Sequence, residues 1–111
     1  MIFITQGRYT GSAISGMVER PEDRAQEAKR LIEAAGGKFI SSYFTFGEYD
    51  FMVISEFEDI RKLTPALIAA AAGGALSDMR TTVALGWTDG QAAFQKARDL
   101  AKSFRPAGQK K

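Results

Sequence analysis

The chain contains no cysteine and no histidine. The first absence removes disulfides, thiolate nucleophiles and Cys-ligated zinc or iron–sulfur centres. The second removes the commonest general base, the usual transition-metal ligand and the haem axial ligand. Such a residue set implies neither a metal nor any other cofactor. Long apolar runs are lacking too: Arg8, Glu19, Lys38 and Glu56 break up the hydrophobic segments. None approaches the ~20 residues needed to cross a bilayer, so no membrane partner is expected. The chain opens directly on the strand-like Met1-Ile2-Phe3-Ile4-Thr5, without the pattern of a signal peptide, which makes a cytoplasmic location the expectation. Charge imbalance is small. The net charge is +2, and Arg105, Lys110 and Lys111 of a Pro- and Gly-containing tail supply part of it. Residues 105–111 are expected to form a disordered basic tail, leaving a near-neutral body over residues 1–104.

What is present is a globular composition. Of 111 residues, 45% are hydrophobic and 25% charged, enough for one core but not two. A first strand is expected from Met1 to Tyr9, with Ile2 and Ile4 on one face and Phe3 and Thr5 on the other. The next segment holds Gly7, Gly11, Ser12, Ser15 and Gly16 and reads as a loop with room for one helical turn. Pro21, Glu22 and Asp23 suit a helix start, Ala28, Leu31, Ile32 and Ala35 recur at helical spacing, and Gly36-Gly37 stop it. Phe39 to Phe46 and Tyr49 to Phe57 form a hairpin around Gly47-Glu48. In its second strand Phe51 and Val53 share one face, Met52 and Ile54 the other. From Asp59 to Ala75 the apolar spacing is helical, with Thr64 starting a fresh helix or Pro65 kinking one. A fourth strand, Met79 to Trp87, sets Val83, Leu85 and Trp87 against Arg80, Thr82 and Ala84. A last helix starts near Thr88 or Asp89, with Ala93, Ala97, Leu100, Ala101 and Phe104 as its apolar stripe.

The order β-α-β-β-α-β plus a terminal helix defines an α+β class of ferredoxin-like topology, a four-stranded antiparallel sheet with two helices on one face. The opposite face would then expose a large apolar patch, which soluble monomers rarely tolerate. A homodimer packed sheet to sheet is the simplest remedy, with higher oligomers open.

Around Gly47-Glu48-Tyr49-Asp50, preceded by Tyr43-Phe44-Thr45-Phe46 and followed by Phe51-Met52-Val53-Ile54, the chain resembles the GYD-domain family. The resemblance extends through Ala25 to Gly37 and to Met79-Arg80-Thr81-Thr82. It implies a dimeric α+β barrel whose paired sheets enclose a cavity, and it brings no settled catalytic activity.

Several residues are candidates for chemistry. Glu48 and Asp50 are neighbouring carboxylates that suit proton transfer if buried, or a solvated turn if not. Arg80 offers a guanidinium fork to a ligand carboxylate, or an ion pair to Asp50. Tyr43, Tyr49 and Trp87 suit stacking on a planar ligand or ordinary packing. Gly7, Gly11 and Gly16 match no phosphate-binding spacing. The leading expectation is a dimer binding a small, partly apolar or aromatic molecule in the barrel cavity, with Tyr43, Tyr49, Asp50, Arg80 and Thr82 as contacts. One alternative is a cofactor-independent oxygenase or isomerase using Glu48 or Asp50 as base and Arg80 as oxyanion holder. Another is a non-catalytic assembly module. RNA binding is the last, prompted by aromatics in the first and third strands and opposed by Glu48 and Asp50.

Overall fold

A computed structural model describes residues 1–109. The elements are β1 (Ile2–Tyr9), α1 (Gly11–Glu19), α2 (Arg24–Ala34), β2 (Lys38–Phe44), β3 (Phe51–Glu56), α3 (Ile60–Ala72), β4 (Leu76–Ala84) and α4 (Trp87–Ala101). The four strands form one antiparallel sheet in the order β2-β3-β1-β4. This is the expected ferredoxin-like arrangement, with α1 added.

Strand alternation assigns the faces. In β1, Phe3, Thr5 and Gly7 are buried, while Ile2, Ile4 and Gln6 between them are only partly covered. Register carries that division across the sheet. Phe3 pairs with Ser55, Thr5 with Val53 and Gly7 with Phe51, so these six residues share the face beneath α2 and α3. Ile4 pairs with Ile54 and with Thr82, and Gln6 with Met52 and Arg80, so these six lie on the opposite, open face. The core sits under the helices: Phe3, Ile32, Phe57, Leu63 and Ala66 form one buried cluster. Phe3 and Phe57 meet edge to face at 6.4 Å, a favoured aromatic geometry.

Three local readings need correction. The Gly- and Ser-rich segment after β1 is a helix of nine residues, α1, rather than a loop. Thr10 starts it: its hydroxyl accepts the Ala13 amide, satisfying one of the first-turn donors that helices otherwise leave open. The segment from Asp59 is a single helix that runs through Pro65; Asp59 caps it by accepting the Arg61 amide at 2.8 Å, so Thr64 starts nothing. Instead the Thr64 hydroxyl donates back to the Ile60 carbonyl at 2.8 Å. The fourth strand begins at Leu76 and ends at Ala84, so Trp87 belongs to the first turn of α4. A bulge, with Asp78 at φ 51°, shifts the β4 register and hides the strand's first residues from a period-two reading. In the tail, residues 105–109 include a turn in which Arg105 donates to the Gln109 carbonyl; Lys110 and Lys111 lie outside the described residues.

Gly7 is required by close approach. A Cβ there would meet the Phe51 ring at 2.6 Å, because that ring lies across β1. Gly16, by contrast, stands within α1 with open space around it. Gly7→Ala is therefore expected to lower stability by ~1–3 kcal/mol through overpacking, and Gly16→Ala to raise it by ~0.5–1 kcal/mol through helix propensity. Urea unfolding of the two variants checks both, and a neutral Gly16→Ala would count against α1.

Candidate functional site

The residues that point from the sheet towards α2 and α3 do not fill the whole space beneath them. A cavity of about 430 Å³ opens there, walled by Leu31, Phe51, Val53, Leu67 and Met79 and edged by Thr5, Tyr9, Arg24, Glu27 and Ser42. Small side chains make the room: Ala28 on α2 and Ala66, Ala69 and Ala70 on α3 face it. Its size and apolar walls suit a compact organic molecule.

Tyr9 stands at the mouth. Its ring packs against Phe51 at 5.3 Å. Partial burial pushes its phenol above the ordinary 10.0; the nearby Arg24 guanidinium opposes this rise, while the carboxylates of Asp50 and Glu22 add to it. Arg24 lines this cavity and a smaller adjoining recess of about 230 Å³, and pairs with Glu22 at 3.1 Å. Glu27, also in the lining, pairs with Arg30. The Thr5 hydroxyl, also in the lining, lies 3.2 Å from that of Thr81 in one hydrogen bond.

The residues singled out from the sequence fall into two groups. Asp50 and Tyr49 belong to the connection between β2 and β3. The Asp50 amide donates to the Gly7 carbonyl at 2.8 Å, and its carboxylate accepts the Tyr9 amide at 2.9 Å. Asp50 thus latches the connection onto the end of β1 and fixes the backbone of Tyr9. Tyr49 lies under the Arg8 guanidinium at 5.7 Å. Glu48 is exposed in the same connection. Tyr43, Arg80 and Thr82 lie elsewhere, on the open face, opposite Met52, Gln6 and Ile4 respectively. Among the described residues Arg80 and Asp50 make no ion pair with each other. Register thus puts Tyr43, Arg80 and Thr82 on one face; none of them lines the cavity, but Tyr43 lines the recess that adjoins it beside Arg24.

Five polar cavity residues escaped sequence reasoning: Thr5, Tyr9, Arg24, Glu27 and Ser42. Thr5 had a signal, being a polar residue on a strand face otherwise given to Phe3. Arg24 and Ser42 had none, since a basic residue in a first helical turn and a serine in a strand look like ordinary surface. The aromatics of β1 and β3 that prompted the RNA reading, Phe3 and Phe51, are buried beneath the helices. The open face of those strands presents Ile2, Ile4, Met52 and Ile54, which offer no ring for a base to stack on. Among the described residues no group of acidic side chains is placed to hold a metal ion, and no helix is long and apolar enough to cross a membrane.

A four-stranded antiparallel sheet with helices and a cavity on one face, and an open apolar face behind it, defines the molecule as a ferredoxin-like α+β protein. The family model for the GYD domain matches residues 3–94, and the chain belongs to that family. No curated protein matches it significantly. Among solved structures it is similar to that of TTHA0845 from Thermus thermophilus, at 15% identity and a TM-score of 0.50, over 77% of this chain and 92% of that one. That likeness concerns the fold alone.

The raised Tyr9 phenol gives a pH prediction. Because its folded value lies above the unfolded one, the stability it contributes is complete below pH 10.0 and is lost as pH rises through the folded value. A tyrosinate absorbance titration is expected to show one late-ionising phenol that is missing in Tyr9→Phe. An unchanged titration in that variant would contradict the placement of Tyr9.

Proposed function

We propose that the protein is a homodimer, each copy of which binds a compact, partly apolar or aromatic molecule in the cavity between its sheet and α2 and α3. The observation that carries this reading is the cavity itself: about 430 Å³, apolar within, with the Tyr9 phenol and the Arg24 guanidinium at its edge. Apolar walls supply affinity, and a few polar groups at one end orient the ligand. Arg24 favours a ligand whose exposed end bears a carboxylate, sulfonate or similar acceptor.

In this reading Asp50 shapes the mouth through Tyr9 rather than contacting the reacting centre of a substrate. Tyr43, Arg80 and Thr82 face the second copy. Their open face carries Ile2, Ile4, Met52 and Ile54, which a two-fold contact would remove from water. The catalytic alternative with Glu48, Asp50 and Arg80 draws no support from their arrangement, because Glu48 is exposed, Asp50 is engaged with β1, and Arg80 lies on the open face.

The test uses 8-anilinonaphthalene-1-sulfonate and benzoate as probes, followed by calorimetry and thermal shift. Binding is expected to stabilise the protein, by ~2.7 kcal/mol at a hundredfold excess over Kd. Ala70→Phe, which fills the cavity from α3, is expected to weaken binding at least tenfold, and Arg24→Ala to weaken it severalfold. Binding that both variants leave unchanged would show that the probes sit elsewhere and sink the cavity reading.

A further inference from the structure

The element that the cavity leaves unused is α4. Trp87–Ala101 is 15 residues long, and none of its side chains is buried. At ~100° per residue, Trp87, Ala93, Phe94, Ala97, Leu100 and Ala101 fall within an arc of ~140°, a continuous apolar stripe. Trp87 is 85% exposed, Phe94 74% and Leu100 60%. A helix patterned to be buried on one side thus stands clear of the body. It gives the molecule extents of 63 × 30 × 23 Å and a radius of gyration of 18.5 Å, where a compact chain of this length would have ~13 Å.

We infer that α4 is an arm that packs on a second copy of this chain, so that each copy clasps the other. The inference rests on the dimer proposed above and extends it. One two-fold contact then covers both unpartnered apolar surfaces, the open sheet face and the α4 stripe. Size supports this. Strands of about six paired residues and four-strand width give the open face a planar footprint of ~400 Å², where a standard stable interface buries ~800 Å² of accessible surface per partner. An α4 ~22 Å long and ~10 Å wide enlarges that footprint by about half, and its length matches the strands it would cross. Composition favours protein over lipid as the occupant. Ala93, Ala97 and Ala101 let a partner backbone approach closely between the larger Trp87, Phe94 and Leu100, and the polar side carries Asp89 and Asp99 among its basic residues, which an anionic membrane surface would repel. The family match ends at residue 94, within α4, so the distal half of the arm lies beyond the matched domain.

The single tryptophan of the chain reports on this contact directly. Sedimentation equilibrium and Trp87 emission are measured on the full chain over a dilution series, on Phe94→Asp/Leu100→Asp, and on Lys96→Glu from the polar side as a control. All of these side chains are exposed in the single chain, so far-ultraviolet circular dichroism is expected to stay unchanged. The expected result is a wild-type dimer with blue-shifted emission, at least tenfold weaker dimerisation and red-shifted emission in the double variant, and an unaltered control. A double variant that dimerises as tightly as wild type overturns the arm and leaves the sheet-to-sheet dimer standing. A wild type that is monomeric at every concentration overturns both. Blue-shifted emission in a monomeric wild type places α4 on its own body, and a shift that appears only with phosphatidylserine vesicles assigns it to a membrane; each also overturns the inference.

Discussion

Two helices cover one face of a four-stranded sheet, and most other features of this molecule are consequences. Phe3, Ile32, Phe57, Leu63 and Ala66 close the core at one end of that layer. Towards the other end the side chains on α2 and α3 shrink to alanine, and the same layer opens into a cavity. Because both helices are on one side, the alternate residues of β1 and β3, among them Ile2, Ile4, Met52 and Ile54, are left only partly covered. The fold thus has one face that encloses a cavity and one that is left partly covered.

The GYD connection between β2 and β3 gains a physical meaning from this layering. Asp50 bonds to the backbone at Gly7 and Tyr9, and Gly7 has no side chain because the Phe51 ring lies across it. Latch, glycine and ring together set the position of Tyr9 at the cavity mouth. The carboxylate at Asp50 is thus explained by architecture.

The topology was legible because it is written in periodicities: the two-residue alternation of Phe51 to Ile54, the helical recurrence of Ala28, Leu31, Ile32 and Ala35, the turn at Gly47. Local capping was not. A hydroxyl at Thr10 turns a glycine- and serine-rich stretch into α1, and Asp59 rather than Thr64 starts α3, because a cap acts through geometry that composition does not record. The cavity was illegible for a different reason. It arises where alanines on two helices meet a strand face, and only the register tells that Thr5 and Ser42 lie on that face while Thr82 and Tyr43 lie on the other. Arg24 is separated from the sheet in sequence and reaches the site only through the packing of α2.

The central claim is that the open sheet face belongs against a second copy. Sedimentation equilibrium of Ile54→Asp tests it most directly, since Ile54 lies on a central strand of that face, opposite Ile4. The wild-type chain is predicted to sediment at twice its mass, and Ile54→Asp at the mass of one chain while keeping its circular dichroism spectrum. A monomeric wild type, or a dimer that accepts an aspartate at Ile54 without weakening, would contradict it.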